Sequence, residues 1–159
     1  MIMAPNTFVR GSGGLITGSI CLKFGRRHFP SRRWNDFVSV ILMWWTEVLL
    51  RGNNQVQECY GGYLTFMDGP YEILIARNGD KTRFRCVRTG RPALTKLRGV
   101  VRWDELKGNI IHAASVLLAH AAKEGWSSRE ITAIRKNLAL MGEAVHRGDS
   151  RRFGPGQNV

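Results

Sequence analysis

Two kinds of hydrophobic pattern open the sequence. Residues 15–24 alternate apolar and polar side chains, which is typical of a strand with one buried face. From Ser31 or Asn35 onwards the apolar positions follow a helical period, and Gly52 marks the end of this first predicted helix. The chain is therefore expected to begin with a strand that leads into a helix.

The first predicted helix is apolar around most of its circumference, so we expect it to pack on more than one side. Trp44 and Trp45 lie in its apolar stretch. Large aromatic side chains at helical spacing favour a place in the core. A contact with another chain, including a second copy in a homo-oligomer, is the alternative for these two residues.

A run of short strands follows this helix. The sequence predicts them over residues 56–67, 71–76, 83–87 and, as a strand or a loop, 94–102. The dipeptide Asn78-Gly79 lies between two of them, and such a pair is the strongest short-range signal for a β-hairpin. The segment is therefore predicted to form an antiparallel meander.

The last third of the chain returns to a helical period. Apolar residues recur at helical spacing from Asp104 to Gly125, and Ser127 with Glu130 forms a capping box that begins another helix. The predicted fold class is therefore α+β. In it, an antiparallel β-sheet of about four to five strands packs against the central apolar helix and a C-terminal helical hairpin.

The length of 159 residues suits one domain with a substantial core. We expect residues 15–147 to form this single α+β domain, with a flexible N-terminal lead-in at 1–14 and a flexible basic tail at 148–159. Apolar residues make up 43% of the chain and charged residues 23%. These fractions are close to globular averages and exclude general disorder.

The cysteines and the longest apolar stretch favour a cytoplasmic protein. Cys21, Cys59 and Cys86 are odd in number and widely spaced, unlike a disulfide framework. The most apolar stretch, residues 37–50, is shorter than the roughly 20 residues that a membrane span needs. The first residues lack the charged and apolar regions of a signal peptide. We therefore expect no membrane span and a cytoplasmic location.

The unusual property of the chain is its charge. Its 24 Lys and Arg against 12 Asp and Glu give a net charge of +12. Residues 51–102 alone carry 10 of the basic and 4 of the acidic side chains. A positive potential of this size favours an acidic protein, a nucleic acid or an anionic membrane surface as the partner.

The candidate partner-binding residues are the cations around the predicted hairpin and two aromatic residues that would anchor a partner. They are Arg77, Lys81, Arg83, Arg85, Arg88, Arg91, Trp34 and Tyr71. We expect these cations to contact an acidic protein. A nucleic-acid-binding module is the alternative, since the same cations would also contact phosphates and Trp34, Tyr60, Tyr63 or Tyr71 would stack bases. The sequence contains no recognised nucleic-acid-binding motif.

No residue pattern indicates catalysis, a cofactor or a metal. His112 and His120 lie eight residues apart on a predicted helix, a spacing that does not bring two ligands together. No local motif pairs a cysteine with a base. The glycine-rich run at residues 11–14 is not followed by the helix that a phosphate-binding loop requires. We therefore expect a non-enzymatic protein without a cofactor or a metal.

Aromatic and turn motifs are spread over the first half of the chain. They are Phe29-Pro30, Trp34-Asn35-Asp36-Phe37, Trp44-Trp45 and Phe66-Met67-Asp68-Gly69-Pro70-Tyr71. Their arrangement resembles small bacterial α+β immunity proteins, the antidotes encoded beside polymorphic or contact-dependent toxins, over roughly residues 20–145.

The resemblance implies a non-enzymatic protein that neutralises a cognate toxin by direct binding, and it assigns no functional residue by position. Many such proteins are acidic, whereas this chain is basic. The resemblance therefore implies a toxin that presents an acidic surface.

Overall fold

Eight strands and three helices make up the described part of the chain, residues 2–54 and 60–149 of a computed structural model. The strands are β1 (Ile2–Arg10), β2 (Ile16–Phe24), β3 (Arg27–Phe29), β4 (Asn35–Asp36), β5 (Tyr60–Thr65), β6 (Tyr71–Asn78), β7 (Lys81–Arg88) and β8 (Leu94–Arg102). The helices are α1 (Val38–Asn54), α2 (Trp103–Lys123) and α3 (Arg129–Asp149).

The strands form two antiparallel sheets of four strands each. In the first sheet β2 pairs with β1, β3 and β4. In the second sheet β5, β6, β7 and β8 are neighbours in chain order. The predicted α+β class with antiparallel strands, a central helix and C-terminal helices is confirmed, and the strands are divided between two sheets rather than gathered in one.

The predicted hairpin at Asn78-Gly79 is confirmed as the connection between β6 and β7. Its two loop residues are Gly79 and Asp80, because Asn78 already pairs with Lys81. Gly79 has a φ of 61°, a conformation that costs glycine little. This turn fixes the register of the second sheet.

Helix α1 contacts β2, β5, α2 and α3, which explains why it is apolar around most of its circumference. Its buried polar side chains are each bonded to a neighbour: the hydroxyl of Ser39 accepts from the backbone N–H of Ile16, and that of Thr46 accepts from the Asn137 amide at 3.1 Å. Trp45 is fully buried and donates to the Thr65 carbonyl, so it belongs to the core.

The expectation of a flexible lead-in before residue 15 is wrong for residues 2–10, which form β1. The register of β1 against β2 shifts between Ala4 and Val9, and Pro5 lies in this irregular part, where its missing N–H costs no ladder bond. Phe8 is buried and contacts the ring of His120 on α2 edge-on. Because the register shifts within β1, its apolar and polar residues do not alternate regularly, and the sequence pattern does not predict this strand.

The ends of two predicted segments also differ. The first helix begins at Val38, later than the predicted start, since Asn35 and Asp36 pair with β2. At the C-terminus, α3 continues to Asp149 and so includes the first two residues of the predicted tail. Residues 150–159 of that tail lie outside the described residues.

The Asp36 carboxylate is buried and accepts three hydrogen bonds, two from neighbouring residues and one from a distant part of the chain. Oδ1 accepts from the backbone N–H of Phe37 at 2.7 Å and of Asp68 at 3.0 Å. Oδ2 accepts from the Trp34 indole at 2.9 Å. Asp36 thereby joins β4 and the entry to α1 to the turn between β5 and β6.

We expect Asp36→Ala to lower the free energy of unfolding by about 3 kcal/mol, because three donors lose a charged acceptor inside the protein. Asp68→Ala is the matched control, since it removes an exposed carboxylate and keeps the backbone N–H that Asp36 binds. Urea unfolding of both variants measures the difference. Equal losses in the two variants would show that Asp36 is not a structural anchor.

Candidate binding surface

The second sheet has one face against the core and one face that no described element covers. Leu64, Ile73, Ile75 and Cys86 are buried on the inner side. Because side chains alternate along a strand, their neighbours lie on the opposite side. We call this opposite side the outer face and define it by Gly61, Tyr63, Leu74, Ala76, Arg83, Arg85, Arg98 and Val100.

Two rows of residues cross the outer face from β5 to β8. The register places Tyr63, Leu74, Arg85 and Arg98 side by side in one row, and Gly61, Ala76, Arg83 and Val100 in the next. Because Gly61 and Ala76 have little or no side chain, they leave a groove of about 890 Å³ between taller neighbours. Both rows line this groove.

The groove combines exposed apolar side chains with cations. Tyr63 is 60% exposed and Val100 is 61% exposed, which are high values for large hydrophobic residues. Arg83, Arg85 and Arg98 line the groove beside them and are exposed. Such an apolar patch with charged neighbours is typical of an interaction site.

The three arginines of the outer face form no ion pair with a described acidic residue. Within residues 2–54 and 60–149, the ion pairs are Glu47 with Arg51 on α1 and Asp104 with Lys107 on α2. None of the three arginines donates a side-chain hydrogen bond to another described residue. Their donors are therefore free to bind a partner.

The structure brings together only part of the predicted partner-binding set. Lys81 continues the line of Arg83 and Arg85 on β7 and is exposed beside the turn, where it pairs in register with Arg102. Arg88 pairs in register with Tyr71, whose side chain lies on the inner side of the sheet. Because residues that pair in register share a side, Arg88 is not part of the outer face. Arg91 lies in the turn after β7.

The two predicted aromatic anchors lie elsewhere. Trp34 and Tyr71 are half-buried and contact each other edge-on, with 5.0 Å between their ring centroids. The indole N–H of Trp34 is already bonded to Asp36. The exposed aromatic residue of the outer face is Tyr63, which occupies the place that the sequence analysis gave to Trp34 and Tyr71.

Arg77 is a structural residue, and its assignment to a partner surface is wrong. It is 9% exposed, and its guanidinium donates to the carbonyls of Gly52 and Gly79, the latter at 2.8 Å. The guanidinium also lies 4.6 Å from the ring centroid of Trp103. Burial lowers the pKa of Arg77, and the charge of Asp104 partly offsets this.

The predicted partner-binding set omits three residues of the outer face: Tyr63, which is named only as a candidate for stacking bases, Arg98 and Val100. The sequence does predict the positions of two of them. Within residues 94–102, alternate positions are occupied by Arg98, Val100 and Arg102, which indicates a strand with these side chains on one largely basic side. Tyr63 has no such local signal. Its place beside Leu74 follows from the register that the β6–β7 turn and the β5–β6 pairing set together.

The described cysteines are not arranged for catalysis. Burial raises the pKa of the Cys86 thiol to about 12, and burial also raises the pKa of Cys21, so both thiols are protonated at neutral pH.

In the part of the chain that the structure describes, no three His, Cys, Asp or Glu side chains are placed to hold a metal ion. None of the helices in this part of the chain is long and apolar enough to cross a membrane.

Comparisons with protein-family models, with curated proteins and with solved structures gave no match.

We expect Arg77→Met to lower the free energy of unfolding by about 2 kcal/mol, because two hydrogen bonds and the contact with Trp103 are lost. Arg83→Met removes the same charge from an exposed position and should leave stability nearly unchanged. Urea unfolding compares the two. A small effect in both variants would contradict the structural role of Arg77.

Proposed function

We propose that this protein is a non-enzymatic binding protein that engages an acidic surface of a partner protein through the outer face. The observation that carries the proposal is the groove with exposed Tyr63 and Val100 beside three unpaired arginines. Tyrosine and arginine are among the residues that contribute most to protein interfaces. A groove gives the partner's apolar side chains a place to be buried.

The charge of the outer face selects the kind of partner. Arg83, Arg85 and Arg98 have no acidic neighbour in their own rows, and Glu72 is in the next row along β6. Unpaired cations favour a partner with Asp and Glu around an apolar centre. A second copy of this chain would bring its own arginines to the same place, so like-charge repulsion disfavours a homo-oligomer through this face.

A nucleic acid is the other class of partner that these cations would suit. Proteins that bind single strands stack several bases on aromatic side chains. Among the described residues of the outer face, Tyr63 is the one aromatic side chain. Phe84 also lines the groove, but it pairs in register with Ile75 on the inner side, and its ring stacks on Phe24. This composition favours an acidic protein over a nucleic acid.

The biological setting we propose is that of a bacterial immunity protein, which neutralises a toxin by covering one of its surfaces. Such a role needs binding and no chemistry of its own. An outer face with cations around an apolar groove would fit a toxin domain with an acidic surface. We place this activity in the cytoplasm, since Cys21 and Cys86 are free thiols.

The test is co-expression with the product of the neighbouring gene, followed by size-exclusion chromatography and calorimetry of the complex. We expect Arg83→Glu with Arg85→Glu to weaken the complex at least about tenfold, because two attractive contacts become repulsive. Arg129→Glu with Arg135→Glu is the matched control. It makes the same change in net charge at exposed positions of α3 and should leave the affinity within about twofold.

Tyr63→Ala tests the apolar part of the groove without changing charge. We expect it to weaken the complex about tenfold or more, as the loss of a central interface tyrosine does. Affinity that is unchanged in both outer-face variants would remove this surface from the proposal. If the neighbouring gene product gives neither a complex nor protection from a toxin, the immunity role is wrong.

A gel-shift titration with mixed DNA and RNA at two salt concentrations separates the two partner classes. An acidic protein partner predicts at most a weak low-salt shift that Arg83→Glu with Arg85→Glu and the control Arg129→Glu with Arg135→Glu reduce equally, because such a shift reflects the net charge of +12. A shift that the outer-face variant removes and the control keeps, with an affinity whose logarithm falls linearly with the logarithm of the salt concentration, would overturn the proposal in favour of nucleic-acid binding.

A further inference from the structure

A second, smaller cavity lies where the first and second sheets meet, on the side of β8 opposite the outer face. It has a volume of about 370 Å³. Its walls come from strands β3, β6 and β8 and from the residue that follows β3. The lining residues are Arg27, His28, Phe29, Pro30, Tyr71, Lys96 and Leu97. It is thus a site with residues from both sheets and shares none with the groove of the outer face.

A β-bulge brings Lys96 into this cavity. Cys86 on β7 pairs with Leu97, but the next residue, Val87, pairs with Thr95. Lys96 is therefore an extra residue without a partner in the register. Regular alternation would place it on the outer side with Arg98, whereas it lines the cavity beside Leu97. Bulges that redirect a side chain in this way are frequent beside binding sites.

The cavity is lined by basic residues and by no acidic one. Arg27 and His28 come from β3 and Lys96 from β8, and none of the seven lining residues is acidic. These three side chains make no hydrogen bond or ion pair with any residue that the structure describes. Three basic residues from two sheets thus line one space whose lining holds no counter-charge.

The remaining walls are apolar and rigid. Phe29 is buried and contacts Tyr71 edge-on, with 5.6 Å between the ring centroids. Tyr71 is also held by Trp34 from another direction. The cavity therefore presents fixed aromatic surface next to its donors, which is the usual composition of a small-molecule site.

We propose that this cavity binds the phosphate group of a small molecule. Arg27 and His28 on β3 and Lys96 on β8 line the cavity from two separate sheets, so donors on more than one side are available to a ligand. This arrangement suits the several oxygens of a phosphate better than the two of a carboxylate. The ring of Tyr71 contacts the body of an organic phosphate. The site does not depend on the outer face, so it stands independently of the proposed partner.

Calorimetric titration of the full chain tests the proposal with two probes, inorganic phosphate and a nucleoside monophosphate, at constant ionic strength. We expect saturable binding of one molecule per chain. Tighter binding of the nucleoside monophosphate assigns the site to an organic phosphate, and equal affinity assigns it to the free ion. Absence of saturable binding of either probe overturns the proposal.

Lys96→Met identifies the site, with Lys81→Met as its matched control. Both variants remove one lysine charge from an exposed position, but only Lys96 lines the cavity. We expect Lys96→Met to weaken phosphate binding at least about tenfold and Lys81→Met to change it less than about twofold. Equal losses in the two variants would show attraction to the overall positive charge and would overturn the proposal.

Discussion

The second sheet depends on two buried charged groups at opposite ends of β6. At one end the Asp36 carboxylate binds the backbone of the β5–β6 turn and the entry to α1. At the other end the Arg77 guanidinium binds the end of α1 and the β6–β7 turn, and it lies over Trp103 at the start of α2. Burying a charge is costly unless hydrogen bonds compensate for the lost water, and both groups are bonded to backbone atoms of more than one element. Each group therefore holds its neighbours at fixed positions.

These anchors explain why the outer face needs no cover. Because the inner side of the sheet packs against the core and both of its ends are tied to helices, the outer side makes no contribution to holding the sheet in place. Its exposed apolar residues would favour aggregation in a neutral protein. The cations on β7 and β8 oppose this, since charged side chains on and near an edge strand discourage pairing between copies.

The sequence predicts the elements better than it predicts their faces. The period of two in β2, the Asn78-Gly79 turn and the helical spacing after Asp104 are local patterns, and each is found in the structure. Arg77 and Arg83 look equivalent in the sequence, yet one is buried and the other is exposed. Arg77 shares the side of Ile73 and Ile75 on β6, whereas Arg83 alternates with Phe84 and Cys86 on β7. The difference therefore follows from the alternation within each strand, and a count of cations around the hairpin does not contain it.

Irregular backbone also limits what the sequence predicts, because it interrupts the alternation of side chains along a strand. Pro5 lies in the irregular part of β1, and the bulge at Lys96 breaks the alternation of β8, so a strict period of two misplaces the residues around both. Trp34 and Tyr71 were assigned to a surface because aromatic residues are frequent in interfaces. In the structure they pack on each other and on the turn that Asp36 holds.

The separation of the two sides of the second sheet has a consequence for how this protein would diversify. Residues such as Tyr63, Arg85 and Val100 touch neither the buried anchors nor the core, so substitutions there leave the fold nearly unaffected. A change of recognition can then accumulate by single steps on β5, β7 and β8 without compensating changes inside. One scaffold would thereby serve a lineage of chains that differ in what they recognise and share how they fold.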